Sequence, residues 1–276
     1  MNFQDFQRAK ETFPIYEYEK EFRNLEILRL QFTRKFSLKK LESMTIDQFV
    51  IGKQRSDSFC YFIERKLDGL GRILGRPSNK FGVWYSPDKQ CYSFDSRFGK
   101  NAKEAFENIK NNIIKLLEDA KNKNKQNLIN NPIDSLFKGK ILSTYFPNMY
   151  LNIFSSGHLD YYLRFFNLDS NALMKSDAIL KREVLLEFKN NDADMRQWSI
   201  NMFAVFLYRH YPKRPLSEKE VAVKSRHKEI IFPTFNDVEW VTNQIAPKQS
   251  DDTKFSARAA TRNSPDYEED AKEHKR

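Results

Sequence analysis

Between residues 101 and 120 the apolar side chains return every three or four positions. Ala102, Ala105, Phe106, Ile109, Ile113, Leu116 and Leu117 form one stripe, which predicts an amphipathic helix. The same spacing in Phe22, Leu25, Leu28 and Phe32 predicts a helix over 17–32. Ser37 is placed to cap a short helix through Leu41, and Thr45-Ile46-Asp47-Gln48 has the form of a capping box. Phe59, Phe62, Ile63 and Leu67 continue the helical pattern over 57–68. Further helices are expected near 156–167, 171–189 and from Trp198 to Arg209.

The pattern changes period only once. Phe81-Gly82-Val83-Trp84-Tyr85 alternates as a strand does, and 91–94 answers it across a Ser86-Pro87-Asp88-Lys89 turn. The expected fold is therefore α+β: mostly helical, with a small antiparallel sheet at about residues 81–94. Tyr145-Phe146-Pro147-Asn148 reads as a tight turn, and His158 as the start of a helix that follows a strand. Lys121 to Asn131 reads as helix end and loop. Three regions are expected: an N-terminal helical segment over 1–50, an α+β module over 51–245 with a last helix starting at Asn236 or Asp237, and a polar, linker-like tail over 246–276.

Composition sharpens this picture at three points. Twenty-four phenylalanines supply a core in a chain of 276 residues, while a mean hydropathy of −0.71 and the lack of an 18-residue apolar run predict no membrane span. With no apolar leader at the start, the expected location is the cytoplasm. Two cysteines, Cys60 and Cys91, are too few for a disulfide framework or a zinc site. The formal charge is +10, and residues 51–100 hold ten Lys and Arg against five Asp and Glu, a local excess that suits a polyanion.

Catalytic patterns are scarce. None of His158, His210, His227 and His274 stands at metal-ligand spacing, and no phosphate-loop motif occurs, so no cofactor is expected. Ser155, His158 and Asp160 lie too close along the chain for a triad. Glu187-Phe188-Lys189, with Asp177 upstream, has the form of a nuclease ExK motif. Ile179, Leu180, Val184 and Leu185 around it keep helical spacing, which favours a charged helix face.

A binding constellation remains. Only eight glycines occur, and five lie between Gly69 and Gly99. Gly69, Gly71 and Gly75 punctuate a stretch carrying Arg65, Lys66, Arg72, Arg76 and Lys80, a combination suited to phosphate contacts. Tyr61, Trp84, Tyr85 and Tyr92 are the aromatic candidates for stacking on an exposed or extruded base. Alternation puts Trp84 on the face opposite Phe81, Val83 and Tyr85, and so singles it out from the core.

The strings FCYFIERKLDGLGRILGRPSNKFGVWY (59–85) and FKGKILSTYFPNMYLNIFSSGHLDYYLRFFNL (137–168) resemble the amino-terminal region of bacterial restriction-type proteins. In that family a similar module precedes an HNH nuclease, a McrB-like ATPase or a DUF3883-type domain. The likeness covers roughly residues 45–210 and implies a recognition or accessory role in DNA restriction and not the cutting step, while the aromatic candidates suit a modified base as the ligand. The expected partner is DNA, bound through Arg65, Lys66, Arg72, Arg76, Lys80 and Trp84. The alternative is a protein-interaction subunit that docks a nuclease or ATPase through the Phe-rich stretch from Tyr145 to Phe166. A third, weaker alternative is a metal-dependent nuclease using Glu187 and Lys189.

Overall fold

A computed structural model describes residues 3–73, 76 and 80–212. Contacts divide the chain into Met1–His227 and Lys228–Arg276. The expected last helix, the polar tail, Gly75, His227 and His274 all lie outside the described residues.

The helices expected over 17–32, 101–120, 156–167 and 198–209 are present, that expected over 57–68 keeps only a short α turn, and that expected over 171–189 is broken in two; α1 (Phe3–Glu11), α2 (Ile15–Lys35), α3 (Leu38–Glu42), α4 (Ile46–Phe49) and α5 (Phe59–Tyr61) come first. The hairpin β1 (Val83–Ser86) and β2 (Cys91–Phe94) follows. Then come α6 (Ala102–Lys121), α7 (Lys125–Asn130), α8 (Ser135–Tyr145), α9 (Ser156–Phe165), α10 (Asn171–Met174), α11 (Ala178–Asn191) and α12 (Ile200–His210). The fold is α+β, mostly helical with one two-stranded antiparallel sheet. No helix among the described residues is long and apolar enough to cross a membrane.

Local chemistry sets the element ends. Thr45 and Gln48 form the reciprocal capping box at α4. Asn101 accepts from the Glu104 amide at the start of α6, and Asp177 from the Ile179 amide at the start of α11. The hairpin pairs Val83 with Phe94, Trp84 with Ser93, Tyr85 with Tyr92 and Ser86 with Cys91, and Gln90, at φ 50°, closes the turn. Lys121–Asn131 contains α7 where only a loop is expected, because Asn124 caps it and Leu128 is buried. The strand expected before His158 is absent. Residues 151–154 have no strand partner among the described residues, and the Arg182 side chain takes the carbonyls of Ile153 and Phe154.

Two apolar cores fill the described residues. The first gathers Phe32, Phe36, Phe49, Phe59, Ile63, Phe81, Phe106, Ile113 and Phe137 from α2–α6, the hairpin and α8. The second gathers Phe6, Phe13, Tyr18, Leu159, Tyr162, Leu185, Phe203 and Phe206 from α1, α2, α9, α11 and α12. Residues before 51 contribute to both cores. Segment 151–154 stitches the two together: Leu151 and Ile153 face the second core and Phe154 the first.

Arg182 of α11, fully buried, donates to the carbonyls of Ile153 at 2.9 Å and Phe154 at 3.4 Å. Gly139 makes room for it, since a Cβ there would come within 2.5 Å of an Arg182 nitrogen. Arg29 of α2 likewise caps α8 by donating to Thr144 O at 2.9 Å.

Because shared elements and one polar seam join the cores, Phe32→Ala and Phe206→Ala should each lower stability by about 3–5 kcal/mol. Urea unfolding followed by circular dichroism should keep one transition for both variants. Two separated transitions would show that the cores melt independently.

Candidate nucleic-acid interface

The stretch from Phe59 to Ile73 does not form one helix. After the single turn of α5, the Leu67 amide donates to Phe62 O at 3.0 Å, a π-type turn with one residue more than an α-helical turn. Asp68–Leu70 then tighten into a 3₁₀ turn, and Gly71 takes φ +99°. The extra residue leaves Phe62, Ile63 and Leu67 in the core and turns Arg65 and Lys66 out to solvent. A left-handed φ is required at Gly71, where a Cβ would also press to 2.8 Å from Asn152 O and from the Phe154 ring.

The turn is anchored through its carbonyls. The ammonium of Lys140, on α8 and fully buried, donates to Leu67 O at 2.5 Å and Gly71 O at 2.6 Å. Asn152 donates to Leu70 O at 3.5 Å. Lys80 donates to Ile73 O at 3.1 Å and pairs with Glu64 at 2.5 Å. Four carbonyl oxygens of one short turn are thus held inward by three side chains. Burial pushes the Lys140 ammonium down to about 7, with Asp68 pulling the other way.

The structure separates the six residues expected to contact DNA. Arg65 and Lys66 are exposed, and Lys66 lies 4.9 Å over the Phe62 ring. Arg76 is exposed. None of these three has an acidic partner among the described residues. Arg72 is exposed but pairs with Asp68 at 2.9 Å, one turn back. Lys80 is the exception. Its side chain is 1% exposed and its charge is spent on Glu64, so in this conformation it reaches no phosphate.

Trp84 is half-buried and, among the described residues, joins no ring–ring pair. Tyr85 and Tyr92 are otherwise engaged. Their rings pack edge to face at 5.5 Å, and Lys53 sits against both.

The charge count changes meaning as well. Nine cations are buried among the described residues (Lys10, Arg29, Lys80, Lys110, Lys138, Lys140, Lys181, Arg182 and Lys189) against one buried acid, Asp119. Several cap chain ends: Lys138 donates to Leu128 O and Ile129 O at the end of α7, and Lys181 to Met174 O at the end of α10. Much of the basic excess is therefore structural, a role that net charge does not reveal. The legible signal was local: Phe137-Lys138-Gly139-Lys140-Ile141-Leu142 places two lysines in an apolar run.

The other candidates also resolve. Glu187 and Lys189 lie on α11, Glu187 exposed and Lys189 buried with its ammonium on Arg196 O, so the two do not converge. Among the described residues no group of three His, Cys, Asp or Glu is placed to hold a metal ion. His158 shares a 3.0 Å hydrogen bond with the Tyr208 hydroxyl. In the stretch from Tyr145 to Phe166, Phe154, Tyr162 and Phe166 are buried, while Tyr145, Phe146, Tyr150, Tyr161 and Phe165 are half-buried. No known family, curated protein or solved structure matches the chain.

The buried lysine gives a signed pH prediction. An exposed lysine titrates near about 10.4, so between about pH 7 and pH 10 the unfolded chain holds a proton at residue 140 that the folded chain has released. Lys140 therefore adds stability as pH rises through that window, by up to about 1.4 kcal/mol per pH unit. Lys140→Met should lose this slope. At pH 10 it should also be the less stable protein by about 1–3 kcal/mol, because Gly71 O is left unpaired while Leu67 O keeps the Leu70 amide, with the gap narrowing toward pH 7. Parallel slopes for wild type and variant in urea unfolding would refute this account.

Proposed function

We propose that this chain is a DNA-recognition module of a bacterial restriction or anti-phage system, acting in the cytoplasm. The contact is made by the turn that carries Arg65, Lys66, Arg72 and Arg76. One observation carries the reading: the turn's carbonyls are drawn inward onto Lys140, Asn152 and Lys80, while Arg65, Lys66 and Arg76 stand outward with no acidic partner among the described residues. Carbonyl oxygens turned away remove groups that would repel a phosphate, and exposed cations remain on the same turn. Trp84 adds a half-exposed ring on the hairpin for a base to stack on. The restriction setting rests on the likeness of residues 59–85 and 137–168 to that family's recognition region, and the catalytic step is assigned to another domain or subunit.

A second reading, docking of a nuclease or ATPase subunit, is favoured by a different surface. Tyr16, Ile27 and Leu30 are exposed on one side of α2. An open groove of about 450 Å³ beside that helix is lined by Ile15, Phe22, Trp198 and Met202 together with the charged Glu19 and Arg23. A stable complex indifferent to DNA, lost in Ile27→Asp, would establish that reading.

For the first reading, fluorescence anisotropy with a labelled duplex across a salt series is the test. Each phosphate contact contributes about 0.9 to the slope of log K against log salt, so Arg65→Gln, Lys66→Gln and Arg76→Gln combined should lower it by roughly two to three units. Lys80→Met should cost stability and leave the slope alone. Trp84→Ala should weaken binding by about 1–3 kcal/mol if the ring stacks on a base. An unchanged slope in the triple variant would sink the proposal.

A further inference from the structure

We propose that Tyr85, Tyr92 and Asp47 form a binding site for an alkylammonium group, a site that Lys53 of the same chain occupies in the structure. The inference is independent of the DNA reading. The Lys53 ammonium lies 5.4 Å from the centre of the Tyr85 ring and 5.0 Å from that of Tyr92, donates to Asp47 at 2.6 Å and to the Tyr92 hydroxyl at 2.8 Å. A ring face from Tyr85, the hydroxyl edge of Tyr92 and a carboxylate thus surround one cation, a combination suited to an organic ammonium. Asp47 is held below the usual carboxylate range by its bond to Lys53.

The cage does not depend on its occupant. Tyr85 and Tyr92 are directly opposite in the β-ladder, which fixes their edge-to-face contact. The Tyr92 hydroxyl also bonds Asp47 in its own right. Asp47 is placed by the first turn of α4, behind the Thr45–Gln48 capping box. If Lys53 leaves, rings and carboxylate remain where they are.

Lys53, by contrast, is delivered by a segment with neither helix nor strand. That segment crosses β1 by one hydrogen bond, from the Tyr85 amide to Ile51 O at 3.0 Å. Gly52, at φ +99°, allows the crossing, because a Cβ there would collide with the Tyr85 carbonyl oxygen. Gln54 also holds a positive φ of 53°. The Lys53 and Asp47 side chains are 35% and 42% exposed, so the site opens to solvent. A fully methylated ammonium donates no hydrogen bond, yet it keeps the Tyr85 ring face and the Asp47 charge, and the Tyr92–Asp47 bond remains.

Such a head group occurs on methylated lysine side chains and on choline-type solutes. The test titrates the full chain and its Lys53→Ser variant with tetramethylammonium chloride, against sodium chloride at equal ionic strength, following the tyrosine ring resonances by NMR. The variant should show saturable shifts at Tyr85 and Tyr92, and the wild type should bind at least about tenfold more weakly because Lys53 competes. Adding Tyr92→Leu to the variant should abolish the shifts. Choline and trimethyllysine amide then distinguish the sources, the tighter ligand naming the class. Lys53→Gln serves if the serine variant loses the hairpin, read from the amide shifts of 83–94. A folded variant with no saturable shift beyond the salt control, or a wild type that binds as tightly as the variant, overturns the proposal.

Discussion

The ammonium of Lys140 is the point on which the described structure turns. It is fully enclosed, has no carboxylate beside it, and is held by two backbone carbonyls from a turn some seventy residues earlier in the chain. A charge in such a place is costly, and two carbonyls satisfy two of the ammonium's three donors, so burial lowers its pKa. The acceptors are available only because the chain around Leu67 leaves α-helical geometry and Gly71 turns left-handed. The lysine and the irregular turn thus support each other: Leu67 O also accepts from the Leu70 amide within the turn, but Lys140 alone ties Leu67 O and Gly71 O to α8. Arg182 repeats the arrangement at Ile153 and Phe154, where it joins the two apolar cores.

This explains which parts of the fold could be read from sequence. The α6 stripe and the hairpin were legible because each is fixed by neighbours a few residues apart, as was the α4 capping box. The π-turn was not: one extra residue in a helical repeat shifts the apolar face by an amount that the sequence of Phe59 to Leu67 absorbs without breaking its pattern. The segment from Leu151 to Phe154 has strand-like composition, but a strand is defined by a partner strand, and here the carbonyls of Ile153 and Phe154 go to the Arg182 side chain.

The site was read less well for the same reason. Arg65, Lys66 and Arg76 stand where their charge suggests. Lys80 looks identical in sequence, yet Glu64, sixteen residues earlier, draws it inside. Tyr85 and Tyr92 look like stacking platforms until Lys53 and Asp47 are placed beside them. In each case the deciding group comes from another element, at a separation that no local pattern reports.

The interior cations also shape the unfolded chain. Folding removes nine basic side chains and one acid from solvent among the described residues, so unfolding releases a far more basic polymer than the folded surface suggests. Polyanions such as nucleic acids and heparin would bind that polymer strongly and, by mass action, draw the equilibrium toward it. For this protein a long polyanion is a potential denaturant as well as a candidate ligand. Whether it stabilises or unfolds the chain depends on how well a few outward cations on one turn compete with the many that the fold keeps hidden.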